Sequence, residues 1–411
     1  MPIAHHMMAK DSTDAVLNHF KLGTWKCAGT FGTLFYRTGT SATFPSPDAR
    51  FYDASNKISV AFEFKPPTET KRGILTGVGQ SIAYLQDNDM SYLVAPKSLS
   101  GFDLESYLHD LYANEITGKL ATGLILYDNS NPKNVKLDED VVGFKKSSNK
   151  KTTPSSDRFW AKHQDLPIPL FHLILHYYYL KKIKAFTGDA FAECWNDRMI
   201  DPTVPTTLNL VDPILDLAGK PIKTLSGRKN IVFLEKKMAK YRTMSPAAAA
   251  PLIVHDIDTT FVGDNYYNAI RKNYITFLEH IEVIDSKGEL TETGYRLYNL
   301  GLFNGPDSKV FFDYFTKELL ITGNHLDVLL DYNSIRQNNP TITTAAAVNQ
   351  MITDYDIKGY LKHNPKRKVG AKKSTDFFKY DFIIWRSLGL IDSNDFVQWR
   401  KITDICSLPD L

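Results

Sequence analysis

Apolar positions in the first third of the chain come in short runs separated by turn-type sequence. Residues 11–20 place Val16, Leu17 and Phe20 on one helical face behind Asp11 or Ser12 as a cap. A Gly/Thr-rich, strand-like stretch follows. Phe51 to Phe64 reads as a hairpin: its turn is Ala54-Ser55-Asn56-Lys57, and its second arm, residues 58–64, is rich in strand formers. Residues 79–85 read as a helix, 90–95 as a strand, 104–114 as an amphipathic helix and 120–127 as an apolar strand. Hairpin, helix, strand, helix, strand is the order of an α/β unit around a mixed sheet.

Residues 128–156 are polar and poor in apolar positions, which predicts a linker or long exposed loop. Beyond it the spacing becomes helical. Residues 166–186 predict a buried aromatic helix entered through Pro167 and Pro169. Tyr267, Ile270, Tyr274, Phe277 and Leu278 keep a helical period, residues 281–290 read as strand, turn, strand, and a second helix starts at Thr291. Residues 341–392 have a similar character: a helix over 344–352, a basic loop over 362–373, and a helix over 377–388 that ends in Gly389-Leu390-Ile391-Asp392. Both segments resemble the tail of a winged helix, and no solenoid repeat is visible. Four segments follow as an expectation: 1–130, a linker over 131–164, a helical region over 165–305 and a second over 306–411.

A chain of 411 residues is too long for one ordinary core, and 12% aromatic residues argue against disorder. No apolar run reaches the ~20 residues that span a bilayer, so no membrane association is expected. The N-terminal residues have no secretory character, and Cys27, Cys194 and Cys406 are too few and too scattered for a disulfide framework. A cytoplasmic setting is expected. The net charge of +3 hides clustering: residues 220–242 and 358–373 carry +7 each, 142–160 carry +4, and the remainder is about −15. Clustered Lys/Arg is the footprint of a phosphate-binding face, which singles out Lys145, Lys146, Arg228, Lys229, Lys236, Lys237, Lys366, Arg367 and Lys368 as candidate DNA contacts.

The chemistry concentrates at the hairpin. Period-two geometry puts Glu63 and Lys65 on one strand face and Phe64 on the other. Glu63 interrupts the apolar run Val60-Ala61-Phe62-Glu63-Phe64, where a surface charge has little reason to sit. Asp48, or alternatively Asp53, can converge on it from the preceding strand. Two carboxylates with the Phe64 backbone carbonyl make a hard-oxygen set suited to Mg²⁺, and Lys65 can orient a water or stabilise phosphate charge. Gln80 and Tyr84 share a helical face on the next helix.

Pro47-Asp48, Glu63-Phe64-Lys65 and Gln80…Tyr84 together resemble the signature of the PD-(D/E)xK nuclease superfamily, the last pair being similar to the QxxxY element of its RecB-like branch. The resemblance covers about residues 10–130. It implies a restriction-endonuclease-like α/β core, Asp48 and Glu63 as Mg²⁺ ligands, Lys65 as the catalytic lysine, and Gln80 and Tyr84 in support. Many members carry a further Glu on the first helix. No Glu precedes Glu63 here, which leaves Asp11 or Asp14 as the only acids on that helix.

The resulting expectation is an α+β, multidomain chain: a nuclease-like core with a mixed sheet, then mostly helical winged-helix domains. Its activity would be Mg²⁺-dependent, sequence-specific cleavage of double-stranded DNA, similar to a type II restriction enzyme and at least transiently dimeric. The rivals are a transposon-end or repair nuclease, and a non-catalytic DNA-binding protein. Other motifs are weaker. His172 and His176 read as a core-facing pair, Cys194 as a packed thiol, and His5 and His6 as a disordered terminus.

Overall fold

The structure, a computed structural model, describes residues 2–25, 31, 35–40, 45–142, 158–162, 167–201, 203–208, 213–225, 227, 229–361 and 377–411. Along the chain come α1 (Pro2–Leu22), β1 (Phe35–Thr38), β2 (Ala49–Asp53), β3 (Ile58–Phe64), α2 (Lys71–Ala83), β4 (Met90–Pro96), β5 (Ser98–Leu99), β6 (Phe102–Asp103), α3 (Leu104–Leu111), β7 (Thr122–Asp128) and β8 (Asn131–Glu139). Then follow α4 (Ile168–Lys182), α5 (Ala190–Cys194), α6 (Val204–Thr207), α7 (Glu235–Tyr241), α8 (Pro246–Ile257), α9 (Tyr266–His280), α10 (Glu292–Asn304) and α11 (Lys309–Leu320). The last are α12 (His325–Asn338), α13 (Thr344–Lys358), α14 (Lys379–Ser387) and α15 (Trp399–Cys406). The architecture is α+β, with one six-stranded mixed sheet and a helical remainder.

Two compact units share the chain: Met1–Ala161 with Gly323–Thr375, and Lys162–Thr322 with Asp376–Leu411. Residues 130 and 305 fall inside these units, and the first division of the chain, between Ala161 and Lys162, lies three residues from the expected end of the linker at 164. Residues expected to open a linker at 131 form β8, which pairs antiparallel with β7. The segment 341–392, expected as one module, is divided: α13 belongs to the first unit and α14 to the second. Sequence-local patterns cannot reveal this, because the returning helices are held by side chains far away in the chain.

In the first unit the sheet order is β1-β2-β3-β4-β7-β8. The hairpin β2–β3 is antiparallel, with Phe51 opposite Val60. The pairs β3–β4 and β4–β7 are parallel, as crossovers through α2 and α3 require. Strand β3 is buried along its whole length, as is β4, so both read as apolar runs with polar residues only where something holds them. Phe20 of α1 covers one face, its ring 5.9 Å from those of Phe35, Phe62 and Tyr92. On the other, Ile74 and Val78 of α2 and Leu104 and Leu108 of α3 pack on Leu93, Ala95, Leu124 and Leu126.

Helix α1 is longer than expected and carries His5 and His6, so the disordered-terminus expectation is corrected. The physical cause lies in α12 and α13, which give α1 partners that its own sequence does not show. Lys10 pairs with Asp14 at 3.0 Å and with Asp331 at 2.8 Å, and Tyr355 donates to Asp331 at 2.8 Å. Gly359 caps α13 at φ 72°, and its carbonyl accepts from the Arg37 N–H at 2.9 Å. A Cβ there would lie 2.9 Å from the Phe35 carbonyl oxygen, so the close approach needs glycine.

The second unit is helical among its described residues. His172 Nε2 lies 3.0 Å from the Tyr298 carbonyl and His176 Nδ1 lies 2.9 Å from the Tyr298 hydroxyl, which seats both on α10, His172 buried and His176 half-buried. Burial pushes His172 down to about 4. Cys194 is buried and its thiol is pushed up by burial, an inert packed group. Residues 281–290 form a tight turn with a single bridge, Ile284 to Leu290, in place of the expected paired strands. Asp285 accepts from the N–H groups of Lys287 and Glu289, both at 2.9 Å, which tightens the turn too far for a longer ladder. The same device recurs between α14 and α15: Asp392 accepts from Asn394 and Phe396, beside an Ile391–Val397 bridge.

Candidate functional site at the end of strand β3

Glu63 stands one residue from the end of β3 and is only 4% exposed. Its register partner on β4 is Leu93, so it lies on the sheet face that α2 covers. Ala49 pairs with Phe62, which brings Asp48, the residue before β2, level with Glu63. The Asp48 carboxylate accepts from the Phe64 N–H at 2.7 Å. Asp53 lies at the other end of the hairpin, paired with Ile58 and accepting from Ser55 N–H at 2.9 Å. The chain thus brings Asp48 to Glu63 and leaves Asp53 in the turn.

Lys65 reaches back along the same face. Its ammonium contacts a Glu63 carboxylate oxygen at 2.8 Å and donates to Gln80 Oε1 at 3.1 Å. The other Glu63 oxygen accepts from the Tyr84 hydroxyl, whose oxygen lies 3.3 Å from the Ser46 carbonyl. Gln80 on α2 and Tyr84 at its C-terminal cap therefore hold Lys65 and Glu63 from above. The backbone of Lys65 is pinned as well: its N–H donates to the Val94 carbonyl at 2.8 Å and its carbonyl accepts from Tyr127 at 2.7 Å. Phe64 turns its ring to the opposite face, stacked on Tyr127 at 5.2 Å and edge-on to His5 at 5.4 Å.

Burial and the neighbouring Asp48 push the Glu63 carboxyl up to about 7, against the opposing pull of Lys65. Crowding by protein also pushes Asp48 upward, opposed by the Phe64 N–H, Lys65, His6 and Arg37. Asp48 nevertheless keeps an exposed surface. Hydration of that surface favours the anion. Two carboxylates that cannot comfortably ionise together, flanked by a held lysine, form a pair that a cation would relieve.

Several site residues were not legible as such. Gly77 is one: a Cβ there would lie 2.5 Å from Lys65 Cε, so the bare backbone of α2 makes room for the lysine stem. Its signal was a glycine inside a helix, which costs about 1 kcal/mol and needs a reason. His5 is another, facing Glu63, Lys65 and Glu69 electrostatically, with its pKa lowered chiefly by burial. The acids of α1 turn elsewhere: Asp14 pairs with Lys10 and Lys358, and Asp11 with Lys133. Neither supplies a further carboxylate to Glu63.

Of the basic candidates, Lys145, Lys146, Arg228, Lys366, Arg367 and Lys368 lie outside the described residues. Lys229 and Lys236 are exposed, whereas Lys237 is paired with Asp256 at 2.7 Å and sits 5.1 Å from the Tyr266 ring. His109, Asp138 and Glu139 bring ligand atoms within 4.8 Å of one another. That group is already neutralised, with His109 on Asp138 at 2.8 Å and Lys136 on the same carboxylate at 3.0 Å. Among the described residues, no helix is long and apolar enough to cross a membrane. No protein-family model matches the chain, and no curated protein sequence does.

Proposed function

We propose that the chain is a Mg²⁺-dependent, sequence-specific DNA endonuclease of the PD-(D/E)xK type, similar to a type II restriction enzyme. The observation that carries this reading is the convergence of Asp48 and Glu63 at the end of β3, with Lys65 held between Glu63 and Gln80. The donor chemistry fits a hard divalent cation: two carboxylates, one buried and reluctant to ionise alone, beside the backbone of Phe64. Asp48, Glu63 and the Phe64 carbonyl would hold Mg²⁺, which supplies polarisation of the phosphate and an acidified water. Lys65 orients the attacking water or offsets charge developing on the phosphate. Gln80 fixes the ammonium and Tyr84 fixes the carboxylate, so neither needs reorganising during reaction.

In this reading the helical unit reads the DNA. The α9–α10 and α14–α15 pairs, each closed by an Asp-headed turn, are the winged-helix candidates, and exposed Lys229 and Lys236 would meet phosphates. Cutting both strands needs two such sites, hence at least a transient dimer.

The test is cleavage of a plasmid panel with Mg²⁺ by wild type, Glu63→Ala and Lys65→Ala. Discrete fragments from wild type, with a loss of at least ~10²-fold in either variant, are expected. Equal cutting by all three, or no cutting of any DNA by wild type, overturns the nuclease reading and favours a non-catalytic DNA-binding protein. Progressive degradation without discrete fragments overturns site specificity.

A further inference from the structure

Helix α1, strand β1 and helix α12 bring together a charged cluster that the chemistry above does not use. Arg37 on β1 is 3% exposed, and its Nη2 pairs with Asp327 Oδ2 at 2.9 Å. The guanidinium carbon lies 4.4 Å from the Phe159 ring centroid and 5.4 Å from that of Tyr360. Asp327 Oδ1 meets His6 Nε2 at 2.5 Å. Arg37 Nη1 has no hydrogen-bond partner among the described residues. Arg37 acts electrostatically on Asp48, as do Lys65 and His6. Lys10, the remaining cation acting on Asp327, is occupied by Asp14 and Asp331.

An arginine stays charged even when buried, and without its acid it must find another. Asp48 is the carboxylate within its influence on the candidate site. An uncancelled guanidinium there would repel a cation and draw Asp48 away from it.

We propose that Asp327 is a positioning residue for the carboxylate site: it offsets the charge of Arg37 and holds His6, leaving Asp48 free to take a divalent cation. The inference rests on the nuclease reading. Because His5 adjoins His6 on α1, the same contact seats His5 against Phe64. A residue that enters the chain after most of the helical unit thereby completes a site built in the first third of the sequence.

The experiment titrates the full chain with Mn²⁺ alone, without DNA, by calorimetry below the melting transition, for wild type, Asp327→Asn and Asp331→Asn. Asp331 is also on α12 and also anchors α1, through Lys10, while it accepts from Tyr355 of α13. Asp327→Asn is expected to weaken Mn²⁺ binding about tenfold or more, the usual effect of removing a residue that orients metal ligands. Asp331→Asn is expected to lower the melting temperature while leaving Mn²⁺ affinity within about twofold. Equal losses in the two variants mean that Asp327 is only a structural anchor and overturn the proposal. Should Asp327→Asn not fold, the double variant Arg37→Met/Asp327→Leu decides: with both charges gone, Mn²⁺ affinity within about twofold of wild type supports the proposal, and a loss of about tenfold overturns it. A wild type that neither binds Mn²⁺ nor cuts plasmid with Mg²⁺ sinks the nuclease reading and this inference with it. A wild type that does both, beside an Asp327→Asn protein of unchanged Mn²⁺ affinity, sinks only the inference.

Discussion

Glu63 is the residue at which burial and chemistry conflict most sharply. Its folded pKa, about 7, exceeds that of an ordinary glutamate, because burial and Asp48 both disfavour the anion. The sign of the linkage follows. The folded state binds the proton more tightly than the unfolded one, so this contribution is fully present below about pH 4.3. It fades as pH rises toward 7, where the folded group gives up its proton. The metal-free protein should lose stability over that window, and Glu63→Gln should flatten the loss by about 2 kcal/mol. Urea melts of both proteins at pH 5 and pH 7.5, with chelator present, measure the difference. Parallel pH profiles would mean that Glu63 ionises normally. Adding Mg²⁺ to wild type should restore stability more at pH 7.5 than at pH 5, since protons and metal compete for one carboxylate.

At the level of elements, the helical unit depends on how closely α4 and α10 approach. Gly301 lets the His172 ring lie against the backbone of α10, where a Cβ would come within 2.2 Å of His172 Cδ2. The ring has little freedom to retreat, as Nε2 is held by the Tyr298 carbonyl and the face stacks on the Tyr298 ring at 5.4 Å. Gly301→Ala should therefore destabilise the helical unit by about 2 kcal/mol through overpacking, despite the better helix propensity of alanine. Thermal denaturation followed by circular dichroism reads this, and a melting temperature equal to or above that of wild type would show that α4 can shift at little cost. The Asp285 and Asp392 turns make a related point. One carboxylate accepting two N–H groups shapes each connection, so the pattern of strand-forming residues overstated the length of the strands.

Across the whole molecule, the chain leaves the first unit after Ala161, returns at Gly323, and leaves again after Thr375. Asn324 donates to the Phe159 carbonyl at 2.8 Å and the Ala161 N–H donates to the Gly323 carbonyl at 2.8 Å, so the outgoing and returning strands of chain are tied together. A protein ending at residue 322 should keep the sheet sequence intact yet fail to protect it. Arg37 and Lys10 would be left as buried cations without Asp327 and Asp331. Amide exchange across residues 35–64 is the measurement; protection equal to that of the full chain would show that α12 and α13 are dispensable to the sheet. The charge distribution also changes meaning at this scale. Part of the two +7 windows is cancelled internally, Lys220 by Asp307, Lys237 by Asp256 and Lys358 by Asp14. Lys358 belongs to the unit that carries Glu63, so the basic windows are not confined to the helical half.

The sequence alone determined the local parts. Alternation and turn residues determine the β2–β3 hairpin, period two separates Glu63 and Lys65 from Phe64, and helical spacing puts Gln80 and Tyr84 on one face. These are short-range consequences of backbone geometry, so pattern is enough to read them. The same hairpin register puts Asp48, not Asp53, level with Glu63, and only tertiary structure decided that Gln80 and Tyr84 meet that end of it. The same holds for the seating of His5 and His6 in an ordered helix, the space Gly77 leaves for Lys65, and the pairing of Arg37 with Asp327. Each of these rests on a contact between segments that periodicity does not connect, and a buried charge records only that a partner must exist, not where in the chain it lies.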